Sequence, residues 1–426
     1  MDYKELTKEV LEKTLADELK LMKKYQKEGK VVDMTRGRPC REQLDLSVPM
    51  FDVVKGADFM SQGIDVRNYG GPLGTKESRE LFADILGVKA DEVITADSSS
   101  LSIMYDVVQF AKQFGIMGSI PWNKLPKAKF ICPAPGYDRH FAICEALGIE
   151  MITVPMLATG PDMDLIEPMV KADASIKGIW CVPKYSNPTG ITYSDEVVER
   201  LATMPVAAED FRIFWDNAYC VHSLYDTDDK LKNIFDVAKK AGTENRIYEF
   251  ASTSKVTFAS AGISCIATSE ANVNELKAHM FYKTIGPNKV NQYMHALFLK
   301  DKDGVLKLMA KHADILRPKF QAVDKALSDA FDGDRWVKWS KPNGGYFISV
   351  DVKNCAKRIV ELSKEAGVSF TKAGATFPYG MDDYNMNIRI APSVPNLDEL
   401  NFAMKVFVSA IKIARMELVL QKCFKG

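Results

Sequence analysis

The feature that most constrains this chain is a series of short apolar runs, each ending in a polar turn. About seven of them precede residue 270 and alternate with stretches of helical periodicity. They include Val93-Ile94-Thr95, Lys129-Phe130-Ile131-Cys132, Glu150 to Val154, Gly178 to Val182, Arg212 to Trp215 and Ile247 to Phe250. Strands alternating with helices predict an α/β fold: a seven-stranded, mainly parallel sheet with helices on both faces. Ligands of such sheets bind beyond the carboxyl ends of the strands, so the residues following each run are the candidates for chemistry. From about Asn291 a long helical segment leads to a smaller α+β region. There Gly344 to Val350 and Asn387 to Ala391 read as strands, with a helix from Asn354 to Ala366 between them. A last helix is capped by Asn396, with Glu399 placed to complete a capping box. At the other end a helix runs from about Tyr3 to Glu28, and Gly29 stops it.

Several strand ends carry reactive groups. Ile247 to Ala251 runs into Ser252-Thr253-Ser254-Lys255, three hydroxyls and a lysine at the mouth of a buried strand. Desolvation lowers a lysine's pKa, and the neutral amine is the form that attacks a carbonyl. Asp216 ends another apolar strand, where an unpaired carboxylate is costly to bury. Asp97-Ser98-Ser99-Ser100 opens a helix; hydroxyls beside free backbone N–H groups make a phosphate cradle of Ser98, Ser99 and Ser100. Asn187-Pro188-Thr189-Gly190 follows a strand as a turn that fixes the asparagine's direction. Tyr137 and His140 follow the Lys129 strand, a flat aromatic face and an imidazole close together.

The bounds set by composition agree. The chain has 426 residues, enough for two domains with substantial cores. Lys+Arg 56 balances Asp+Glu 56, so no polyanionic partner is indicated, nucleic acid included. The start, Met1-Asp2-Tyr3-Lys4-Glu5, lacks the apolar core of a signal peptide, and no apolar run is long enough to span a membrane. The 8 cysteines lack C-x-x-C pairing. They predict neither a metal site nor disulfides, but reduced thiols in a cytoplasmic protein.

The order N-P-T-G, then D-x-A-Y (Asp216-Asn217-Ala218-Tyr219), then S-x-S-K resembles the aspartate aminotransferase family of pyridoxal-phosphate enzymes, fold type I. The wording Lys184-Tyr185-Ser186-Asn187-Pro188-Thr189-Gly190 and Ala373-Gly374-Ala375-Thr376-Phe377-Pro378-Tyr379-Gly380 is most similar to its divergent subgroup Ic. The resemblance implies that Lys255 forms the internal aldimine and later moves a proton. It implies that Asp216 faces the pyridine nitrogen, backed by His140, and that Tyr137 stacks on the ring. Asn187 and Tyr219 would hold the ring oxygen; Ser98 to Ser100, Ser252 and Ser254 would hold the phosphate. Arg389, in Ile388-Arg389-Ile390, would bind the substrate α-carboxylate, although an arginine between two isoleucines also fits a surface strand. Gly37, between Arg36 and Arg38, would line the substrate pocket, and the two arginines are candidates for a distal carboxylate. Tyr69, in Asn68-Tyr69-Gly70-Gly71-Pro72-Leu73-Gly74, would reach into a neighbouring subunit, which implies a homodimer.

One segment departs from the family pattern. Most members follow the lysine with G-x-R, whose arginine binds phosphate. Here Ala261-Gly262-Ile263-Ser264-Cys265 puts Ser264 at that place. The expected organisation is an N-terminal helix and arm over 1–48 that joins the small domain, a cofactor-binding large domain over 49–300, and a C-terminal small domain over 301–426. The expected activity is amino transfer between L-aspartate and 2-oxoglutarate. A β-lyase or decarboxylase would share the ring-binding residues. A sensor half of a transcription regulator would need a DNA-binding unit for which the N-terminus has no room.

Overall fold

A computed structural model describes residues 3–424; Met1-Asp2 of the charged start and Lys425-Gly426 lie outside them. The large sheet has eight strands. Their order across the sheet is Val93–Ala96, Ser264–Ala267, Ile247–Ser252, Arg212–Asp216, Ile176–Cys181, Lys129–Ala134, Glu150–Leu157 and Gly160–Pro161. The strands from Ile247–Ser252 to Glu150–Leu157 pair in parallel, while Ser264–Ala267 runs antiparallel to both its neighbours. The strand beyond the expected seven is Gly160–Pro161, a two-residue antiparallel return on the sheet edge. It is too short for periodicity to mark, and its proline is tolerated because an edge needs no ladder donor there.

Both faces of this sheet are apolar, which is why its strands read as continuous hydrophobic runs. Ile213, Trp215, Ile247 and Ala251 pack into one cluster, and Trp180, Phe214, Tyr248 and Phe250 into the other. Alternation along each strand therefore sends successive residues to opposite cores.

The second sheet has three antiparallel strands, with Ile348–Val352 between Val337–Trp339 and Asn387–Ile390. The N-terminal arm forms a separate two-stranded sheet with the C-terminal region: Val32 and Asp33 pair in parallel with Val368 and Ser369. Met22, Val32 and Met34 share a core with Phe320 and Phe407 of the C-terminal helices. The first helix spans Lys8–Glu28, later than the sequence suggests, because Thr7 accepts from the Val10 amide as its cap; Gly29 ends it at φ 63°. Leu11 and Met22 are its buried residues, while Val10 is half exposed. The expected long helical connection is two helices, Lys289–Leu299 and Lys302–Phe331. The final helix, Leu397–Cys423, has the full capping box between Asn396 and Glu399. All eight cysteines are unbridged. Among the described residues no helix is long and apolar enough to cross a membrane.

Candidate active site

The carboxyl ends of the parallel strands open onto a cleft of about 650 Å³, closed on its far side by the small sheet and the N-terminal arm. Lys255, Asn187, Tyr219, Tyr137, Arg389, Arg36, Gly37 and Arg38 all line it. Each is delivered by a local device. Asn187 sits in a turn closed by bonds from the Gly190 amide to the Ser186 carbonyl (2.6 Å) and from the Ser186 amide to the Ile191 carbonyl (2.9 Å). Gly190 has φ 73°, and a Cβ there would lie 2.5 Å from Pro342, so only glycine closes this turn. Gly37 is pressed on the aromatic wall: a Cβ would come 2.6 Å from the Phe347 ring.

Asp216 is the last residue of its strand, paired in register with Phe250, and is 3% exposed. Its Oδ2 lies 2.9 Å from His140 Nε2, and the imidazole is itself stacked on Trp180 at 4.4 Å. His140 belongs to the first turn of the Asp138–Ala146 helix, and Tyr137 meets its ring edge-on at 4.9 Å. Asp216 Oδ1 is buried and has no hydrogen-bond partner among the described residues. One carboxylate oxygen is thus held from behind, and the other is left for something else.

Lys255 follows the Ile247–Ser252 strand. Thr253 pins that turn: its amide donates to the Ile263 carbonyl and its hydroxyl accepts from the Ile263 amide, at 2.8 and 2.9 Å. The lysine's Nζ sits 5.1 Å from the centre of the Tyr219 ring and 5.9 Å from that of Tyr346. Burial lowers its pKa, and attraction to Asp216 opposes the shift. Burial also raises the Tyr219 hydroxyl well above its usual range, and that of Tyr137 to about 12.

Arg389 faces this group from the small sheet. It is 5% exposed, so it is no surface arginine. Its Nη1 donates to Asp138 Oδ1 (2.8 Å) and to Asn187 Oδ1 (3.2 Å), and Nη2 donates to Thr371 Oγ1 (3.2 Å). The guanidinium lies over the Phe347 ring at 4.8 Å, and its Nε has no partner among the described residues. Lodged there, the planar fork presents a fixed cation to the cleft.

The serines gather at one end. Ser252 pairs with Ser264, which pairs in turn with Ala96 on the other side, so the Asp97 to Ser100 turn stands next to the Ser252–Ser254 turn. The helix that follows spans Ser100–Phe114, and its cap residue Ser99 makes no side-chain cap bond. Ser98 Oγ reaches the Ala259 carbonyl at 3.5 Å, Ser100 is buried, and Ser254 Oγ is buried without a partner. Ser264 differs: it is fully buried and its hydroxyl donates to the Asp97 carbonyl, so it secures the turn rather than facing outward. Asp97 accepts from the Asn288 amide through Oδ1, a structural task.

Tyr69 is not brought to this cleft. It is 79% exposed on a loop that Lys289 Nζ holds by the Asn68 and Gly70 carbonyls, at 2.7 Å each. The cleft also contains residues that motif reading passed over: Asp138, Arg139, Thr371, Lys372 and Phe347. Asp138 and Arg139 lie inside the Tyr137 to His140 segment, so adjacency to a recognised motif was the available signal. Nothing in the sequence near Thr371 announces Arg389.

The sequence profile of the family described as "Aspartate amino-transferase" matches residues 6–423. A protein named aspartate aminotransferase from Corynebacterium glutamicum is 45% identical over 389 residues, covering 91% of this chain and 90% of that one. The crystal structure of an aspartate transaminase from the same organism superposes with a TM-score of 0.95 at 42% identity, over 98% of this chain and 99% of the other. The fold is also that of an α-aminoadipate aminotransferase from Thermus thermophilus, solved with N-(5'-phosphopyridoxyl)-L-leucine, at a TM-score of 0.75 and 19% identity over 93% of this chain and 95% of that one.

Proposed function

This chain belongs to the aspartate aminotransferase family and is an aminotransferase, and from that premise we propose that it moves the amino group between L-aspartate and 2-oxoglutarate with pyridoxal 5'-phosphate. The observation that carries this reading is a cleft lined by Lys255 and the buried Arg389, with the buried Asp216 near the lysine and one of its oxygens free among the described residues. The residues fit the cofactor. Asp216 Oδ1 is an orphaned acceptor suited to a protonated ring nitrogen, and Ser254 Oγ and the uncapped Ser99 helix start are free donors suited to a phosphate. Bound, the cofactor supplies an aldehyde for the amino group and a cationic ring that draws electron density from the substrate α-carbon.

The remaining roles fall to the protein. Asp216, oriented by His140, would hold the ring nitrogen's proton; Tyr137 would cover the ring; Tyr219 and Asn187 would bind its oxygen. Ser98, Ser99, Ser100, Ser252 and Ser254 would hold the phosphate, with Ser264 supporting the turn that carries them. Lys255 Nζ, its pKa lowered by burial, would accept the proton from the substrate α-carbon and return it on the other side of the exchange. Arg389 would take the α-carboxylate as a bidentate pair, with Asn187 beside it.

Acidic substrates suit the charge of the cleft. Arg36, Arg38, Arg139 and Lys372 line it together with Arg389, against the single carboxylate Asp138. Asp33 lies close to both Arg38 and Arg36, whereas Arg139 and Lys372 have no ion-pair partner among the described residues. We therefore add Arg139 and Lys372 to Arg36 and Arg38 as candidates for the distal carboxylate. The exposed Tyr69, Phe281 and Tyr282 support a homodimer in which Tyr69 completes the neighbouring phosphate site. The domain division we infer is 1–48 with 301–426 around 49–300.

The test is the visible absorption of the cofactor-loaded protein as single amino acids are added without an oxo acid. Aspartate or glutamate should convert the cofactor to its amine form, and Lys255→Ala should abolish turnover while the fold persists. Conversion by neutral amino acids alone would overturn the acidic substrate class. Release of pyruvate and ammonia, or of a decarboxylated amine, would replace transfer with the lyase or decarboxylase chemistry.

A further inference from the structure

A second cleft, of about 620 Å³, opens on the sheet face opposite Asp216. It lies between the Lys76–Leu86 helix, the loop at 228–234 and the start of the Lys302–Phe331 helix. Its floor holds Glu249 and Asn217. In register Glu249 stands beside Trp215, and Asp216 beside Phe250, so strand alternation sends the two carboxylates to opposite faces.

Glu249 is 4% exposed, and Asn217 7%. Glu249 Oε1 accepts from Asn217 Nδ2 at 2.8 Å, and among the described residues it has no other hydrogen bond and no ion pair. Asn217 Oδ1 is buried and has no hydrogen-bond partner among the described residues. Two acceptors, one of them a carboxyl, therefore line the cavity, and beyond the Asn217 amide no donor among the described residues is bonded to them.

Other charged groups line the cleft: Lys232 pairs with Glu199 and Asp195, Asp229 accepts from Thr192 and Asn343, and Lys230 has no ion pair among the described residues. Lys184 Nζ is committed to Asp228 Oδ2 (2.7 Å) and the Cys220 carbonyl (3.1 Å), and Lys302 Nζ lies 3.5 Å from the Asp84 carbonyl. The nearby thiols are kept protonated by burial, Cys220 up to about 12 and Cys265 well above its usual range. Burial without a cation pushes the Glu249 carboxyl up to about 7.

We propose that this cleft binds a small molecule through a primary ammonium group, which sits on the Glu249 carboxylate and Asn217 Oδ1. An ammonium carries the charge that the carboxyl lacks and has enough N–H donors for both acceptors. Trp215, Val221 and Leu306 give its alkyl part an apolar wall. A divalent cation is a poorer match, since it needs more oxygen ligands, and among the described residues no group of three or more His, Cys, Asp or Glu converges on one point. The proposal is independent of the substrate preference of the first cleft.

The test is saturation-transfer NMR with n-propylammonium, on protein carrying the cofactor in its pyridoxamine form so that no aldehyde competes for the amine. Glu249→Gln preserves shape and the Asn217 bond, and should weaken binding at least about tenfold. Leu306→Trp alters only the half-exposed wall and should weaken it as well. Lowering the pH from about 8.5 to about 6 should weaken binding roughly tenfold, because the carboxyl takes up its proton while the ammonium stays charged. The N,N,N-trimethyl analogue, without N–H donors, should bind about tenfold less tightly than the parent. Unchanged binding in both variants, or no saturation transfer from the wild-type protein to the ammonium ligand, would overturn the proposal.

Discussion

Asp216 and Glu249 are buried carboxylates on adjacent strands, one residue out of step, and the sheet separates them. Asp216 has the His140 imidazole against one oxygen, and that ring is stacked on Trp180. Glu249 has only a neutral amide, and burial lifts its pKa to about 7. The difference shows that equal depth does not give two carboxylates equal company; the elements packed against each decide what reaches it. One face leaves a carboxylate oxygen free beside an imidazole, and the other holds a carboxyl whose pKa burial lifts to about 7.

The sharpest way to break this comparison is a matched pair of amide substitutions. Asp216→Asn should lower kcat by on the order of 10³, since it removes the charge that would hold the ring proton. Glu249→Gln should leave kcat within about twofold. Equal losses in steady-state assays would mean that the two faces are not functionally distinct. Next in size is His140→Leu, which strips Asp216 of its partner and should cost about 3 kcal/mol in denaturant unfolding.

The stability of Glu249→Gln should depend on pH. The folded carboxyl keeps its proton up to about 7, against 4.5 for the unpaired group, so its contribution favours folding at low pH and is lost as pH rises through 7. The substitution should therefore stabilise the protein by about 3 kcal/mol near pH 8 and by nothing near pH 4, read as the shift in unfolding midpoint at each pH. A gain that persists at pH 4 would mean that charge is not its cause. Remote from both faces, Asn396→Ala removes the cap of the last helix and should cost about 1 kcal/mol at either pH, which sets the scale of an ordinary local change.

The fold was legible because its signals are local. Apolar runs, the Asn396 cap and the Gly29 stop act within a few residues and mark these elements, whereas the start of the first helix, set by the Thr7 cap, lies later than the periodicity suggests. The edge strand Gly160–Pro161 escaped because two residues carry no period. Much of the candidate site was legible for a related reason: Asn187, Asp216, Tyr219 and Lys255 all follow strand ends, and a parallel sheet gathers such ends on one edge.

The sequence by itself determined which groups this chain offers: a lysine, an aspartate and a set of serines at the strand ends, and an arginine in the Asn387–Ile390 strand. Only the tertiary structure decided what each group faces. Asp138 meets Arg389 across 251 residues of chain, and Ser264 turns its hydroxyl onto Asp97 instead of outward. Tyr69 points away from its own cleft, and Glu249 is left beside an amide with no cation. Periodicity and capping act over a few residues, whereas the partner and solvation of a charge depend on elements that meet only when the sheets and helices pack.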